Sequence, residues 1–515
     1  MLIAEAHEAS AVRAISAQEV PVSKVATRTP LASVARGALS LMITQPLTWV
    51  TSLIVVALVP RLLGGTSLGQ YTLAMTFPQI LGPVVSLGLL EYLSRALASR
   101  SEDAMRKAAL GWVTMTLAAV LAACAVGIAV PLLGLDVGTP VVLWAALGIL
   151  VITPSQGLLL TLLRGQERMG HFAAINSLSA AASSLIPVAV LMAGGGLNGF
   201  AVSFVIVNAV ALAVSWRMAG IRLPRVAFNM RDLIGVVPAG LPFFGWTLTM
   251  QFYGQIDRLL LGALAPVQVV GWYAAAQRII GIPVFVPMLI VTPLFPALTR
   301  CRDDKPVFRR TLNTSLRAAL LITAPLCAAM AAAAPAIPQF LRWPSEFTQT
   351  IVPMTILAPN LSIIAMDMLL GTSLIALGLE RKWLLVGLAA AVVNPTLNFL
   401  AIPYAQATWG NGSIGSSVVN VITEFVMLGG ALVLMPRGLL DTSLLSCAMR
   451  ILVAGAGFIV TTRVLLGEAL SLPVALLAGG AVFLVASLAL GVVRPADFRG
   501  VRSVLLTRAR GRVLV

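Results

Sequence analysis

Apolar runs recur along this chain at nearly even spacing, separated by short polar breaks. A membrane-spanning helix needs about 20 mostly apolar residues. Residues 37–60, 62–90, 108–135 and 137–163 meet that length. The uncharged run 169–216 is long enough for two helices, broken at Gly194-Gly195-Gly196. A second series covers 233–256, 274–298, 312–334, 350–377, 383–403 and 413–435. Two further stretches, 450–467 and 473–493, complete a predicted set of about fourteen spans, the thirteenth shortened by Arg463. The pattern predicts an all-α integral membrane protein.

The polar breaks set an orientation, because loops on the cytoplasmic side collect Lys and Arg. With the N-terminus inside, the inner segments hold 29 of the 35 Lys and Arg. The outer segments hold only Arg61, Arg258, Arg342 and Arg463, while Arg278 and Arg317 fall within spans. This predicts a multi-pass protein with both termini cytoplasmic. Composition agrees: 59% of residues are hydrophobic and 10% charged, against about 45–50% and 25% in soluble domains. The net charge of +16 therefore reads as topology and contact with anionic lipid, not as nucleic-acid binding. Residues 1–36, with Glu5, Glu8 and Glu19 before any long apolar run, read as a cytoplasmic tail and not a cleavable signal. The basic tail 494–515, with Arg499, Arg502, Arg508, Arg510 and Arg512, reads as an anchor on the lipid surface. Cys124, Cys301, Cys327 and Cys447 are scattered, and His7 and His171 stand alone, so no metal or cofactor site is expected.

The chain also repeats itself. Arg61-Leu-Leu, Gly69 and Tyr71 recur as Arg258-Leu-Leu, Gly271 and Tyr273, the tyrosines 202 positions apart. Gly165-Gln-Glu-Arg168 recurs as Gly378-Leu-Glu-Arg381, and Gly196-x-x-Gly199 as Gly412-x-x-Gly415. Each pair is separated by six spans, an even number, so the halves share one orientation. That predicts two six-helix lobes, 37–216 and 233–435, joined by a linker at 217–232 and related by an axis along the membrane normal. Spans 13 and 14, within 436–493, are an addition. Two lobes with a cleft between them suit alternating access.

Ionisable residues inside the bilayer are functional candidates by default. Glu91 sits near a helix end, where Arg95 at i+4 could pair with it. Asp367 and Glu424 lie deeper and are candidates for binding a coupling ion. Arg317 opens the ninth span, where snorkelling to the surface is a competing reading. Arg61 and Arg258 follow spans one and seven and could draw an anion outward or fix loops, with Asp257 as a pairing partner. Asn394, Asn398, Asn420, Gln251 and Gln255 could line a cavity or join helices. Pro46, Pro78, Pro83, Pro238, Pro242, Pro283, Pro287, Pro353 and Pro359 permit kinks in the spans that carry them.

Three motifs resemble the Wzx-type polysaccharide flippases of the multidrug/oligosaccharidyl-lipid/polysaccharide exporter superfamily. They are Arg61-Leu-Leu-Gly64 with Leu68-Gly69-Gln70-Tyr71; Asp257-Arg258-Leu-Leu-Leu-Gly262 with Val270-Gly271-Trp272-Tyr273 and Arg278; and Asn394-Pro-Thr-Leu-Asn398 through Pro403 with Gly412-Ser-Ile-Gly415. Gln406-Ala-Thr-Trp409 departs from the pattern as an insertion before the glycines. The resemblance implies a V-shaped two-lobe fold that catalyses no covalent change. It implies a substrate too, an isoprenoid pyrophosphate carrying an oligosaccharide, moved from the inner to the outer face of a bacterial cytoplasmic membrane for exopolysaccharide, capsule or O-antigen assembly. Candidate partners are membrane lipids, a polysaccharide polymerase and chain-length machinery. It also implies that Arg278 faces a central cavity, where arginine's planar fork suits a pyrophosphate; snorkelling to the outer headgroups is the competing reading. A lipid II flippase and a cation-coupled drug exporter are the rival readings within the superfamily. A membrane polymerase or acyltransferase needs catalytic residues on an outer loop, and the longest such loop carries only Arg342 and Glu346.

Overall fold

The structure, a computed structural model, describes residues 30–98, 103–166, 168–221, 223–224, 229–468 and 470–492, with backbone alone at 30–49, 98 and 246. Most of the N-terminal tail and all of the basic C-terminal tail lie outside them. All regular structure among the described residues is helical.

The first lobe opens with α1 (Pro30–Ser86). It starts earlier than the hydropathy predicts, at a proline whose fixed φ suits a first helical turn. Gly64, at φ 72° and ψ 176°, breaks α1 into two helices, the pair expected at 37–60 and 62–90. The second of these ends at left-handed Leu87 and Gly88 before α2 (Leu89–Ala98). Helices α3 (Ala104–Leu132), α4 (Pro140–Gly165), α5 (Met169–Met192) and α6 (Gly196–Ala219) complete the lobe.

The second lobe begins with α7 (Met230–Leu264). Asn229 caps it by accepting the Arg231 N–H at 3.1 Å, and it bends by 58° between Met230–Gly245 and Thr247–Leu264. Pro238 and Pro242, just before the bend, each remove a helical hydrogen bond. Next come α8 (Val267–Gly281), a 3-10 turn at Pro283, and α9 (Phe285–Arg300), which together make one span. Helices α10 (Lys305–Ala333), α11 (Ile351–Leu357), α12 (Asn360–Ala376), α13 (Glu380–Trp409) and α14 (Gly412–Leu434) follow. The apparent insertion Gln406–Trp409 is the last turn of α13, closed by left-handed Gly410 at φ 66°. Finally α15 (Ser443–Gly467) and α16 (Leu472–Ala489) pack on α10 through Ala328, Ala332, Ile451, Phe458 and Phe483.

Twelve of these helical stretches are long and apolar enough to cross a membrane, thirteen with the bent α7. The stretch at Val50–Ser86 is itself two helices meeting at Gly64, which accounts for the last of the expected spans. Their outward faces are apolar: Leu132 is 81% exposed and Val433 84%. Such surfaces are stable facing lipid and not water.

The lobes meet along a pseudo-two-fold axis, and the repeat supplies the contact. A methyl on Gly69 would lie 1.9 Å from the Val267 carbonyl oxygen, and one on Gly271 would lie 2.0 Å from that of Gly65. Positions 65 and 267, like 69 and 271, are 202 apart. The second limb of α1 therefore crosses its own repeat, α8, backbone to backbone.

Candidate functional site: an arginine-lined cavity between the lobes

Between the lobes lies a cavity of about 340 Å³. The second limb of α1 contributes Tyr71, Thr72 and Gln79; α7 contributes Arg258 and α8 Arg278. No Asp or Glu lines it among the described residues.

Arg278 is twelfth in α8, so its Cα lies about 16 Å from the start of that helix at 1.5 Å per residue. That depth is near the middle of a ~30 Å hydrocarbon core. Its side chain lines the inter-lobe cavity. Its Nη1 is buried without a hydrogen-bond partner, as is the Thr72 hydroxyl. Unpaired buried donors are costly, and here both line the same void.

Arg258 corrects two expectations. It belongs to no outer loop, because the apolar run Leu259–Leu264 carries α7 onward past it. Its guanidinium lines the cavity, where Nε donates to Gln277 Oε1 at 2.9 Å and Nη1 to Gln255 Oε1. Nor is Asp257 its salt-bridge partner. Neighbouring helical residues leave the axis about 100° apart, and Asp257 enters the lobe interior instead.

There, 2% exposed, Asp257 accepts three hydrogen bonds: from the Tyr273 hydroxyl at 2.8 Å, Asn398 Nδ2 at 3.0 Å and Asn420 Nδ2 at 2.9 Å. Asn394 accepts from Asn398, and Asn360 donates to Asn420 at 2.6 Å. Five helices, α7, α8, α12, α13 and α14, are tied by this network. Asn394 and Asn398 are thus brought together, fully buried, but away from the cavity wall. Deeper in the same lobe, the Tyr253 hydroxyl donates to Glu424 Oε1 at 2.8 Å. Asp367 lies within electrostatic reach of Glu424, and its buried Oδ1 has no partner.

The remaining arginines lie elsewhere. Arg317 reaches Asp441 at 3.5 Å and the Ser443 hydroxyl at 2.6 Å. Arg309 joins the same Asp441, so this group fastens α15 to α10. Arg61 is exposed near the Gly64 bend. Arg95 forms no pair with Glu91; it stands over the Phe243 ring, 4.6 Å from its centroid.

Sequence reasoning missed the contacts of the loop at Trp343 and Glu346. Glu346 accepts the Gly65 N–H at 2.8 Å and Trp343 Nε1 donates to the Ala57 carbonyl at 3.2 Å. A loop of one lobe thereby holds the bend of the other. The available signal was a lone carboxylate three residues from a tryptophan.

Two helical lobes around a pseudo-two-fold axis, with a cationic cavity between them and a lipid-facing exterior, define a multi-pass membrane protein. A family model described as polysaccharide biosynthesis protein matches residues 34–302, and the chain belongs to that family. Among solved structures, it is similar to lipid II flippase MurJ in an inward closed conformation, with a TM-score of 0.73 at 14% identity over 87% of this chain and 97% of that one. It is also similar to an inward-facing multidrug resistance MATE family transporter of the MOP superfamily, with a TM-score of 0.52 at 14% identity over 76% and 94%. No curated protein matches the chain.

Proposed function

We propose that this protein flips isoprenoid pyrophosphate-linked oligosaccharides from the inner to the outer face of a bacterial cytoplasmic membrane, by alternating access of its two lobes. The arginine-rich face is the cytoplasmic one on this reading. The observation that carries it is Arg278, half-buried on the wall of the inter-lobe cavity with its Nη1 buried and unpartnered, with Arg258 on the same wall.

The physical problem is the headgroup. Charged groups cost several kcal/mol or more in hydrocarbon, whereas the isoprenoid tail is at home there. Two guanidinium groups offer charge-assisted, bidentate bonds to phosphate oxygens. Arg258 and Arg278 lie about 9 and 16 Å from the outer ends of their helices, two steps along a path. Thr72, Gln79 and Tyr71 supply neutral polar groups for sugar. A cation-coupled drug exporter calls for carboxylates on this wall, and the lining of two arginines without an acid favours an anionic cargo. Asp367 and Glu424, buried apart from the cavity, are the proposed seat of any coupling ion.

The test uses a deletion strain complemented with wild type, Arg278→Lys or Arg278→Ala. Lipid-linked oligosaccharides are assigned to a membrane face with an impermeant glycan-modifying reagent on spheroplasts. Arg278→Ala is expected to trap complete repeat units inside and abolish surface polysaccharide, with Arg278→Lys intermediate. Units reaching the outer face unpolymerised in the deletion strain indicate a polymerase instead. Intact polysaccharide in that strain removes the flippase reading.

A further inference from the structure

A second concavity lies away from the cavity, on the lipid-facing side of the first lobe. It is a groove of about 400 Å³ between α5 and α6. Buried Ser179 and Ser215, with half-buried Ala182 and Ala211, form its floor, and exposed Leu178 and Val210 form its rims. It runs from Ala174 to Ile186 on α5 and from Met218 back to Ile206 on α6. Twelve residues of helix measure about 18 Å, close to one leaflet of a ~30 Å hydrocarbon core. The lining is almost wholly apolar, as an acyl chain requires.

No arginine lines the groove itself, but three lie close in sequence to its end at Ala174 and Met218. Half-buried Arg168 donates through Nη1 to the Ala219 carbonyl at the end of α6. Arg217 is exposed on the last turn of α6. Arg164 stands over the Phe172 ring, 5.1 Å from its centroid, at the start of α5. Neither Arg164 nor Arg217 has an ion pair among the described residues. The sequence over 164–171 and 215–225 carries five arginines against one acid, Glu167. Basic pockets between spanning helices at this depth suit anionic lipid headgroups.

We propose that this groove binds an anionic phospholipid of the leaflet on the arginine-rich face, with its phosphate at Arg217 and Arg168 and one acyl chain between α5 and α6. The site is separate from the cavity: Phe204 of α6 lines the cavity, whereas Ile206 and Val210 line the groove.

The experiment uses the full chain purified in detergent, with binding read by native mass spectrometry and by thermal unfolding. It compares phosphatidylglycerol, phosphatidylcholine of identical chains, and glycerol phosphate. Because one arginine near a headgroup is worth about fivefold in affinity, phosphatidylglycerol is expected to bind at least fivefold tighter than phosphatidylcholine. Arg217→Gln should remove most of that preference. Ala211→Phe, which fills the floor, should weaken both lipids. Val210→Trp on the exposed rim is the second variant should Ala211→Phe fail to fold. Equal affinity for the two lipids overturns the proposal, as does glycerol phosphate matching the intact lipid, or unchanged binding in the filled variants. Displacement of phosphatidylglycerol by undecaprenyl phosphate at equal concentration also overturns it, assigning the groove to the cargo's tail. Transport is not part of the readout, so failure here is distinct from failure of the flippase reading.

Discussion

The two ends of the lobe interface are built differently. At the face opposite the arginines, α1 and α8 cross at Gly69 and Gly271 with no space for a single methyl. Around that crossing lies one continuous core drawing on both lobes, including Tyr71, Leu68, Val269, Tyr273 and Phe347. Glu346 and Trp343 add hydrogen bonds to backbone groups across it. At the arginine-rich face the contact is thinner. The half of α7 before its bend meets α2 and α3 through a small cluster of Leu89, Leu110, Met115, Leu233 and Val236. Gly88 and Gly240 approach closely there too, and the Thr114 hydroxyl donates to the Leu233 carbonyl at 3.2 Å, while Arg95 over Phe243 and Arg106 with Asp232 at 3.7 Å lie nearer solvent. Rigid helix crosses rigid helix at one end, while at the other a bent half-helix leans on its neighbours. The alternation proposed above must break both ends, and the bent end carries less to break.

The comparison breaks hardest at Gly69. Gly69→Ala drives a methyl into the Val267 carbonyl, and overpacking of this kind typically costs about 1–3 kcal/mol. Since the partner is backbone, relief requires separating the lobes. Surface polysaccharide should be lost. A cysteine replacing Thr72, in a chain whose four native cysteines have been removed, should become open to an impermeant thiol reagent from outside. Unchanged labelling refutes the claim that this crossing holds the outer end shut. Gly240→Ala is the matched change at the other end, where the methyl would sit 2.2 Å from the Leu87 carbonyl. The bend in α7 lets its first half move away, so polysaccharide should fall only severalfold and outside labelling should stay low. Equal loss in both variants erases the distinction between the ends.

Glu346→Ala comes third. It deletes the acceptor for the Gly65 N–H, a bond worth about 1 kcal/mol, or about fivefold in the opening equilibrium. Labelling of Thr72→Cys should rise by that factor. Glu346→Gln keeps an acceptor oxygen and should lie between Ala and wild type. If Gln and Ala behave alike, it is the charge and not the hydrogen bond that holds the bend.

How far these ends were legible beforehand differs in the same way. Hydropathy and the spacing of Gly69 and Tyr71 from Gly271 and Tyr273 disclosed spans, lobes and their parallel relation, because these are local or periodic signals. That the repeated glycines touch one another is a property of the axis and appears in neither repeat alone. Arg278 stood out as a charge within an apolar run. Arg258 was misplaced because Asp257 and Arg258 look like the end of a span, although Leu259–Leu264 continues the helix. Two of the three partners of Asp257 lie 141 and 163 residues away, and Glu346 meets Gly65 across 281. Pairings at such separation are set by packing of whole helices, and no local pattern encodes them.

The smallest effects are expected at the arginine-rich end. Arg106 and Asp232 are 60% and 39% exposed in their side chains and 3.7 Å apart. Exposed pairs of this kind contribute between nothing and about 1 kcal/mol. Arg106→Ala should therefore leave polysaccharide unchanged within error. Arg95 over Phe243 joins α2 to the half of α7 before the bend, and a guanidinium over a ring at an exposed site is worth about 0.5–1 kcal/mol. Arg95→Gln should loosen this end alone, raising labelling of a cysteine in place of Gln79 from the arginine-rich side two- to fivefold in inverted vesicles, with no change from the opposite side. Labelling that rises on both sides would mean that the two ends open together, and the asymmetry between a rigid crossing and a bent half-helix would then carry no functional weight.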